Sequence, residues 1–209
     1  MKLFLSSQAI SVKQKPYFLA LFNKPAGKIK FAHIENAADP YPEEKRRFVL
    51  SNREWIDAVG MRVTYVDLRN YKGPDELRKV LSLFDAIWVG GGNTFYLRWI
   101  MRQSGFDQTI KNLLKRGIVY GGGSAGAIVV GPTIKNFETA DDSKAAPELI
   151  TDGLHLTQFI PLPHWANEKY GSRMKGIQKQ LDADNQKTIQ LTDDQALVIE
   201  GEEVRLVPE

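Results

Sequence analysis

The sequence predicts an α/β protein with a doubly wound, mostly parallel sheet and a small antiparallel β element near its C-terminal end. Strand-like apolar runs alternate with helical patterns of about 10 to 15 residues through the first 120 residues, which is typical of parallel pairing. Two of these runs, 85–89 and 118–120, each lead into three consecutive glycines. No repeat or linker composition divides the chain, so we expect a single domain over 1–209.

The first part of the chain begins this alternation. Residues 2–5 and 28–33 are short apolar runs that end at polar residues, as strands do. Between them, residues 17–22 form an apolar run flanked by Pro16 and Pro25, which suits a short helix. Residues 43–59 carry apolar side chains at helical spacing and end at Gly60. They are therefore expected to form the first long helix.

The middle of the chain contains the most regular patterns. Residues 62–68 and 85–89 are predicted strands, and 75–83 is a short helix between them with one apolar face. Two further helices, 93–104 and 106–116, precede the apolar run 118–120, which is predicted to be a buried strand. This order of elements is that of repeated strand-helix-strand units.

The pattern changes after residue 130. Residues 134–149 are polar and charged and are predicted to form a long loop, a type of segment that is often functional. A strand at 156–162 and an amphipathic helix at 168–181 follow. Short strands are predicted at 188–191, 195–199 and 203–207. We expect these last strands to form antiparallel structure attached to the parallel core.

Composition and charge exclude several classes of protein. The 209 residues contain no cysteine, which excludes disulfides, thiolate metal sites and cysteine nucleophiles. The formal net charge is +3 and the charges are interspersed, so nucleic-acid binding has little support. The first apolar run is too short for a signal peptide, and no run approaches a membrane span of about 18 residues. We expect a cytoplasmic protein without a cofactor or a membrane partner.

Residues 122–126 match the pattern G-x-S-x-G, with Ser124 at its centre. In that motif the serine lies on a strained turn between a strand and a helix, with its hydroxyl exposed above the sheet. The alternative is a glycine-rich loop that binds an anionic metabolite through its amides. A Walker-type loop is excluded because no Gly-Lys-Ser/Thr follows. Ser124 is therefore a candidate nucleophile.

The glycines at 90–92 and 121–123 follow two strands that should end at the same edge of the sheet. An oxyanion hole commonly combines the amide after the nucleophile with an amide from a separate loop. The amide of Ala125 and an amide in Gly91-Gly92 are the natural pair here. We take Gly92 as the second donor and expect Gly91 and Asn93 beside the substrate. The alternative is that the first turn is a tight connection without chemistry.

A serine hydroxyl needs a base, and the chain has three histidines without metal-ligand spacing. His164 is the preferred base because it follows a predicted strand and stands between Pro163 and Trp165. The base needs an acid partner. The turn residue Asp193 can be aimed at the site by a strand end, and several other carboxylates are rivals. These are Asp194, Glu168, Asp182, Asp184, Glu138, Asp141 and Asp142.

Four segments of the chain resemble the peptidase E (aspartyl dipeptidase) and cyanophycinase family of serine peptidases. They are residues 89–95, 123–127 and 131–134 and the pair Pro163-His164. The likeness extends over residues 85–200. It implies a fold akin to class I glutamine amidotransferases, with serine where those enzymes carry cysteine. It also implies a triad, which here would be Ser124, His164 and Asp193.

The resemblance further implies a metal-independent exopeptidase that hydrolyses dipeptides through an acyl-enzyme. Peptidase E cleaves dipeptides with N-terminal aspartate, and Arg173 is our candidate for reading that carboxylate, although a surface position on the helix is an equal alternative. The expected partners are a small peptide substrate and at most a second copy of the chain. The alternatives are an esterase or amidase on the same triad, and the non-catalytic anion-binding protein.

Overall fold

The computed structural model describes residues 1–208. The strands are β1 (Lys2–Ser6), β2 (Lys30–Ile34), β3 (Arg62–Tyr65), β4 (Ala86–Val89), β5 (Val119–Gly123), β6 (Phe159–Leu162), β7 (Lys187–Gln190), β8 (Ala196–Glu200) and β9 (Glu203–Val207). The helices are α1 (Lys15–Leu19), α2 (Arg47–Val59), α3 (Pro74–Leu81), α4 (Thr94–Gln103), α5 (Phe106–Lys115), α6 (Ala125–Ile128) and α7 (Gly171–Ala183).

Seven strands form one sheet in the order β3-β2-β4-β5-β1-β8-β9. The first five are parallel to their neighbours, and β8 runs antiparallel to both β1 and β9. The predicted α/β class with a mostly parallel sheet and a small antiparallel element is confirmed. That the chain forms one domain stays a prediction.

The strand predicted at 188–191 pairs differently from our expectation. It is β7, which lies outside the main sheet and pairs parallel with β6, with Ile160 opposite Thr188. The physical reason is the intervening helix α7, because a helical crossover brings the second strand back in the same direction as the first. Within residues 1–208, the antiparallel element consists of β8 and β9.

Alternation along the strands places apolar side chains on both faces of the main sheet. Leu3 and Leu5 of β1 belong to the larger buried cluster, together with residues of α3, α4 and α5. Phe4 between them belongs to the cluster on the opposite face, where it packs edge-on against Phe18 of α1. Both faces are therefore covered by helices, and the site must lie at an edge of the sheet.

Candidate active site

The two glycine turns lie side by side at the carboxyl ends of β4 and β5. These strands are adjacent, with Val89 opposite Gly122. A methyl group added at Gly91 would lie 3.0 Å from the Cβ of Ser124, so the first turn contacts the serine directly. The sequence prediction had placed both turns at one edge of the sheet, and the structure has them in contact there.

Ser124 occupies a strained turn between β5 and α6. Its backbone has φ 50° and ψ −112°, a conformation that residues with side chains rarely adopt. The turn is sharp because strand and helix approach closely: a methyl group at Gly122 would lie 2.3 Å from the carbonyl oxygen of Gly126. A methyl group at Gly126 would likewise lie 2.1 Å from the carbonyl oxygen of Val89. Both motif glycines are thus required by backbone contacts.

His164 lies within hydrogen-bond distance of Ser124. Its Nε2 is 3.1 Å from the serine Oγ, and its Nδ1 is 2.6 Å from Oδ1 of Asp193. Pro163 places it directly after β6, and its own backbone has φ 59°. The three side chains come from loops after β5, β6 and β7. They form one continuous hydrogen-bonded row from a carboxylate through an imidazole to a hydroxyl.

The Asp193 carboxylate has a second hydrogen-bond partner. Nδ2 of Asn167 donates to Oδ2 of Asp193 at 2.7 Å. Partial burial opposes ionisation of the Asp193 carboxyl, but the hydrogen bonds from Asn167 and His164 outweigh it, and its pKa lies below the ordinary value. The carboxylate is therefore ionised near neutral pH and can stabilise a positive charge on the imidazole.

The rival carboxylates lie elsewhere. Asp194 is 68% exposed and pairs with Lys13 at 3.1 Å, whereas Asp184 pairs with Lys135 at 3.3 Å. Glu138, Asp142, Glu168 and Asp182 are exposed, and none of these six is hydrogen-bonded to His164. The remaining rival, Asp141, is close enough for its charge to act on His164, but it is bonded to another residue.

Asp141 is fixed at the start of α4. Its Oδ2 accepts hydrogen bonds from the backbone N–H and the hydroxyl of Thr94, at 2.9 and 2.6 Å. Burial raises the pKa of this carboxyl, while Thr94, His164 and Arg173 act in the opposite direction. A half-buried carboxylate therefore lies near His164 without being hydrogen-bonded to it.

Backbone amides are available for an oxyanion. Ala125 is the first residue of α6, where an N–H has no partner within the helix. Within residues 1–208, the N–H groups of Ala125, Gly91 and Gly92 donate no hydrogen bond to another backbone group. Gly92 has φ 146° and touches the backbone of Ala37, so only glycine fits there. The structure thus offers both amides that the sequence suggested.

The two other candidate substrate residues differ in their surroundings. Asn93 is 2% exposed, and its side chain caps α4 through the N–H of Tyr96 and donates to the carbonyl oxygen of Asp142. Both of its polar atoms are bonded within the protein, so the structure makes it a tether of the 134–149 loop. Arg173 is exposed on α7, and its charge reaches Asp141.

Sequence reasoning missed several residues around the triad. Ser7 follows β1 and contacts the segments that carry His164 and Asp193. Asn167 holds Asp193, and the ring of Tyr170 lies 5.3 Å from that of His164. A polar residue directly after a central strand was a usable signal for Ser7. Nothing local distinguishes Asn167 or Tyr170.

A second cleft, of about 1020 Å³, lies between α2 and the ends of β2 and β3. His33 is buried at its base, and burial lowers the pKa of this histidine to about 4. Some charged groups of the cleft pair with one another, as Arg53 does with Glu35 and Arg69 with Asp67.

Within residues 1–208, no three His, Asp or Glu side chains are grouped as metal ligands. No helix of this part of the chain has the length and apolar character needed to span a bilayer.

Comparison with known proteins shows the family of the chain. The model of peptidase family S51 matches residues 4–207. An uncharacterized peptidase from Listeria innocua is 30% identical over 166 residues, which are 78% of this chain and 77% of that protein. A peptidase E from Nostoc is 28% identical over 72% of this chain and 56% of its own length. A probable alpha-aspartyl dipeptidase from Drosophila melanogaster is 37% identical over 49% of this chain and 42% of its own length.

Solved structures show the same fold. A Listeria monocytogenes protein provisionally classed as peptidase E superposes with a TM-score of 0.84 and 29% identity. The match covers 98% of this chain and 96% of that one. A peptidase from an acI-B1 actinobacterium superposes with a TM-score of 0.75 at 20% identity, over all of this chain and 87% of its own.

Proposed function

The chain belongs to peptidase family S51 and is a peptidase, and we propose that it hydrolyses dipeptides through an acyl-enzyme on Ser124. The observation that carries this proposal is the row of short contacts from Ser124 through His164 to Asp193. A serine hydroxyl becomes a nucleophile when an adjacent base takes its proton, and a base acts well when a third group orients it. The contacts that these two conditions require are present in the structure and support the proposal.

The reaction follows from these contacts. Nε2 of His164 accepts the proton of Ser124 Oγ as the oxygen attacks the peptide carbonyl carbon. Asp193 holds the Nδ1–H tautomer and stabilises the imidazolium. His164 then gives the proton to the departing amine, and the C–N bond breaks to leave an ester on Ser124. Water, deprotonated by the same histidine, hydrolyses this ester and regenerates the hydroxyl.

The oxyanion of each tetrahedral intermediate would be bound by the N–H groups of Ala125 and Gly92. One such donor is typically worth about 2.7 to 4 kcal/mol of barrier. Support comes from their free amides and from the contact between the first glycine turn and Ser124. Gly91 would line the same wall of the crevice.

Two charged groups suit the first residue of a short peptide substrate. Asp141 presents a carboxylate near His164, where it would pair with the α-ammonium group of the residue that is acylated. Arg173 lies at the exposed rim and would attract an acidic side chain on that residue. A fixed partner for the free amino group favours exopeptidase action, because an internal peptide has no ammonium group to pair with this half-buried carboxylate.

The test combines one variant with a panel of substrates. In Ser124→Ala, hydrolysis of Asp-Leu and Ala-Leu should fall by about 10⁴-fold or more, while the matched change Ser51→Ala on exposed α2 leaves it unchanged. A fluorophosphonate probe should label Ser124 and fail on the Ala variant. Retained hydrolysis by Ser124→Ala would refute the proposal. Preference for an acyl ester over every dipeptide would favour the esterase alternative.

A further inference from the structure

Ser7 lies directly after β1, next to the strand that carries Ser124. It is 0% exposed, so its hydroxyl has no access to water. Its Oγ is 2.9 Å from the carbonyl oxygens of Leu191 and of Thr192, and it accepts the backbone N–H of His164 at 3.1 Å. One hydroxyl therefore joins the loop of the base to the turn of the acid.

The hydroxyl can make all these contacts at once. Its single proton is shared between the two carbonyl oxygens that precede Asp193, and a lone pair receives the N–H of His164. His164 needs such an anchor because its φ of 59° is unfavourable for a residue with a side chain. Without Ser7, that N–H would have no partner in a buried position.

The residues on either side of Ser7 contact the other parts of the triad. The carbonyl oxygen of Ser6 accepts the N–H of Ser124 at 3.0 Å. The side-chain amide of Gln8 lies beside the carboxylate of Asp193 and favours the ionised form of that carboxylate. Three consecutive residues thus contact the segments of the nucleophile, base and acid in turn.

We propose that Ser7 is a positioning residue that sets the distance between His164 and Asp193. This inference rests on the proposed function of the triad. Ser7 touches no reacting atom, so its loss should lower kcat through misalignment and leave substrate binding intact. A displacement of catalytic groups by about 1 Å can cost about 10²-fold in rate.

The experiment compares Ser7→Ala with Ser104→Ala. Ser104 is equally buried, and its Oγ bonds only the carbonyl oxygen of Met101 within α4, away from the crevice. We expect Ser7→Ala to lower kcat about 10- to 100-fold with KM within about twofold of wild type, and Ser104→Ala to change neither. Ser7→Cys, which keeps a weak donor of similar size, should give an intermediate kcat.

A spectroscopic readout separates positioning from folding. The proton between His164 Nδ1 and Asp193 should give a low-field proton NMR signal that is lost or shifted in Ser7→Ala and unchanged in Ser104→Ala. If Ser7→Ala does not fold, Ser7→Cys decides by the same two readouts. A folded Ser7 variant with wild-type kcat, or with reduced kcat and an unchanged low-field signal, overturns the inference. Failure of the triad itself would appear separately, as activity that survives Ser124→Ala.

Discussion

The carboxylate of Asp141 is bound by Thr94 through both the backbone N–H and the hydroxyl, although 47 residues separate them. The long polar loop is thereby fastened to the start of α4, beside the crevice. Both bonds go to one carboxylate oxygen, Oδ2. A carboxyl group that burial makes harder to ionise is thus kept close to His164.

Asp141→Asn should make the protein more stable near neutral pH and less active. The pKa of Asp141 is raised on folding, so its ionised form opposes folding above the unfolded pKa of about 3.9. The amide keeps an acceptor for Thr94 and removes that cost. The thermal midpoint of the variant should exceed that of wild type at pH 7, and the difference should vanish below about pH 4.

The Asp141→Asn variant also tests whether Asp141 binds the free amino group of the dipeptide substrate. We expect kcat/KM for dipeptides to fall about 10-fold or more, as for loss of a charged hydrogen bond. The wild-type enzyme should hydrolyse dipeptides with a free amino group and reject the same dipeptides when they are N-acetylated. Asp141→Asn should no longer distinguish the free from the acetylated dipeptide. A variant that discriminates as sharply as wild type would remove Asp141 from this role.

Asp193→Asn should lower kcat by about 10⁴-fold, because an amide favours the wrong imidazole tautomer. The comparison variant is Asp194→Asn at the adjacent, 68% exposed position, where we expect wild-type kinetics. Steady-state rates with one dipeptide suffice for both. Equal losses in the two variants would show that the turn, and not the carboxylate of Asp193, is being tested.

Arg173→Gln should reduce the preference for an acidic first residue. The ratio of kcat/KM for Asp-Leu over Ala-Leu should fall about 10-fold or more, by the loss of one charge-assisted contact. Lys175→Gln, at an exposed position two residues further along α7, provides the control for net charge. An unchanged ratio in Arg173→Gln, or an equal change in both variants, would indicate that Arg173 is a surface residue that does not read the substrate's side chain.

Gly91→Ala and Gly90→Ala should have unequal effects. A methyl group at Gly91 would lie 3.0 Å from the Cβ of Ser124, whereas one at Gly90 would meet its nearest neighbour at 3.5 Å, an ordinary contact. We expect Gly91→Ala to lower kcat by about 10²-fold through displacement of the serine. Gly90→Ala should stay within a few-fold of wild type. Reversal of this order would contradict the described contact.

His33 should make the protein sensitive to mild acid. Its pKa falls from 6.5 to about 4 on folding, mainly because it is buried, with Glu35 and Asp57 opposing and Arg53 assisting that shift. The unfolded chain then binds the proton more readily, so stability is lost as pH falls from about 6.5 to 4, by up to about 3 kcal/mol. His33→Asn should flatten this part of a urea-midpoint profile. An unchanged slope would place the titrating group elsewhere.

The sequence predicted the two glycine turns, Ser124 and His164 because their signals are local. A strand, then glycines, then small residues describe the turn at Ser124 completely, and only three histidines competed for the base. Choosing Asp193 over its rivals required the resemblance, because the direction of a turn side chain depends on contacts distant in sequence. Ser7 was missed since its partners lie up to 185 residues away. The pairing of β7 with β6 was misjudged because a strand pattern does not reveal its neighbour.

The position of Asp193 between β7 and β8 has a consequence for synthesis of the protein. Ser124 and His164 leave the ribosome first, and the turn with Asp193 is fixed at its C-terminal side when β8 docks antiparallel along β1. On the proposed triad, a growing chain up to residue 190 has a serine and an imidazole but no acid to orient them. The hydrolase would therefore stay inert towards neighbouring polypeptides until its sheet is closed.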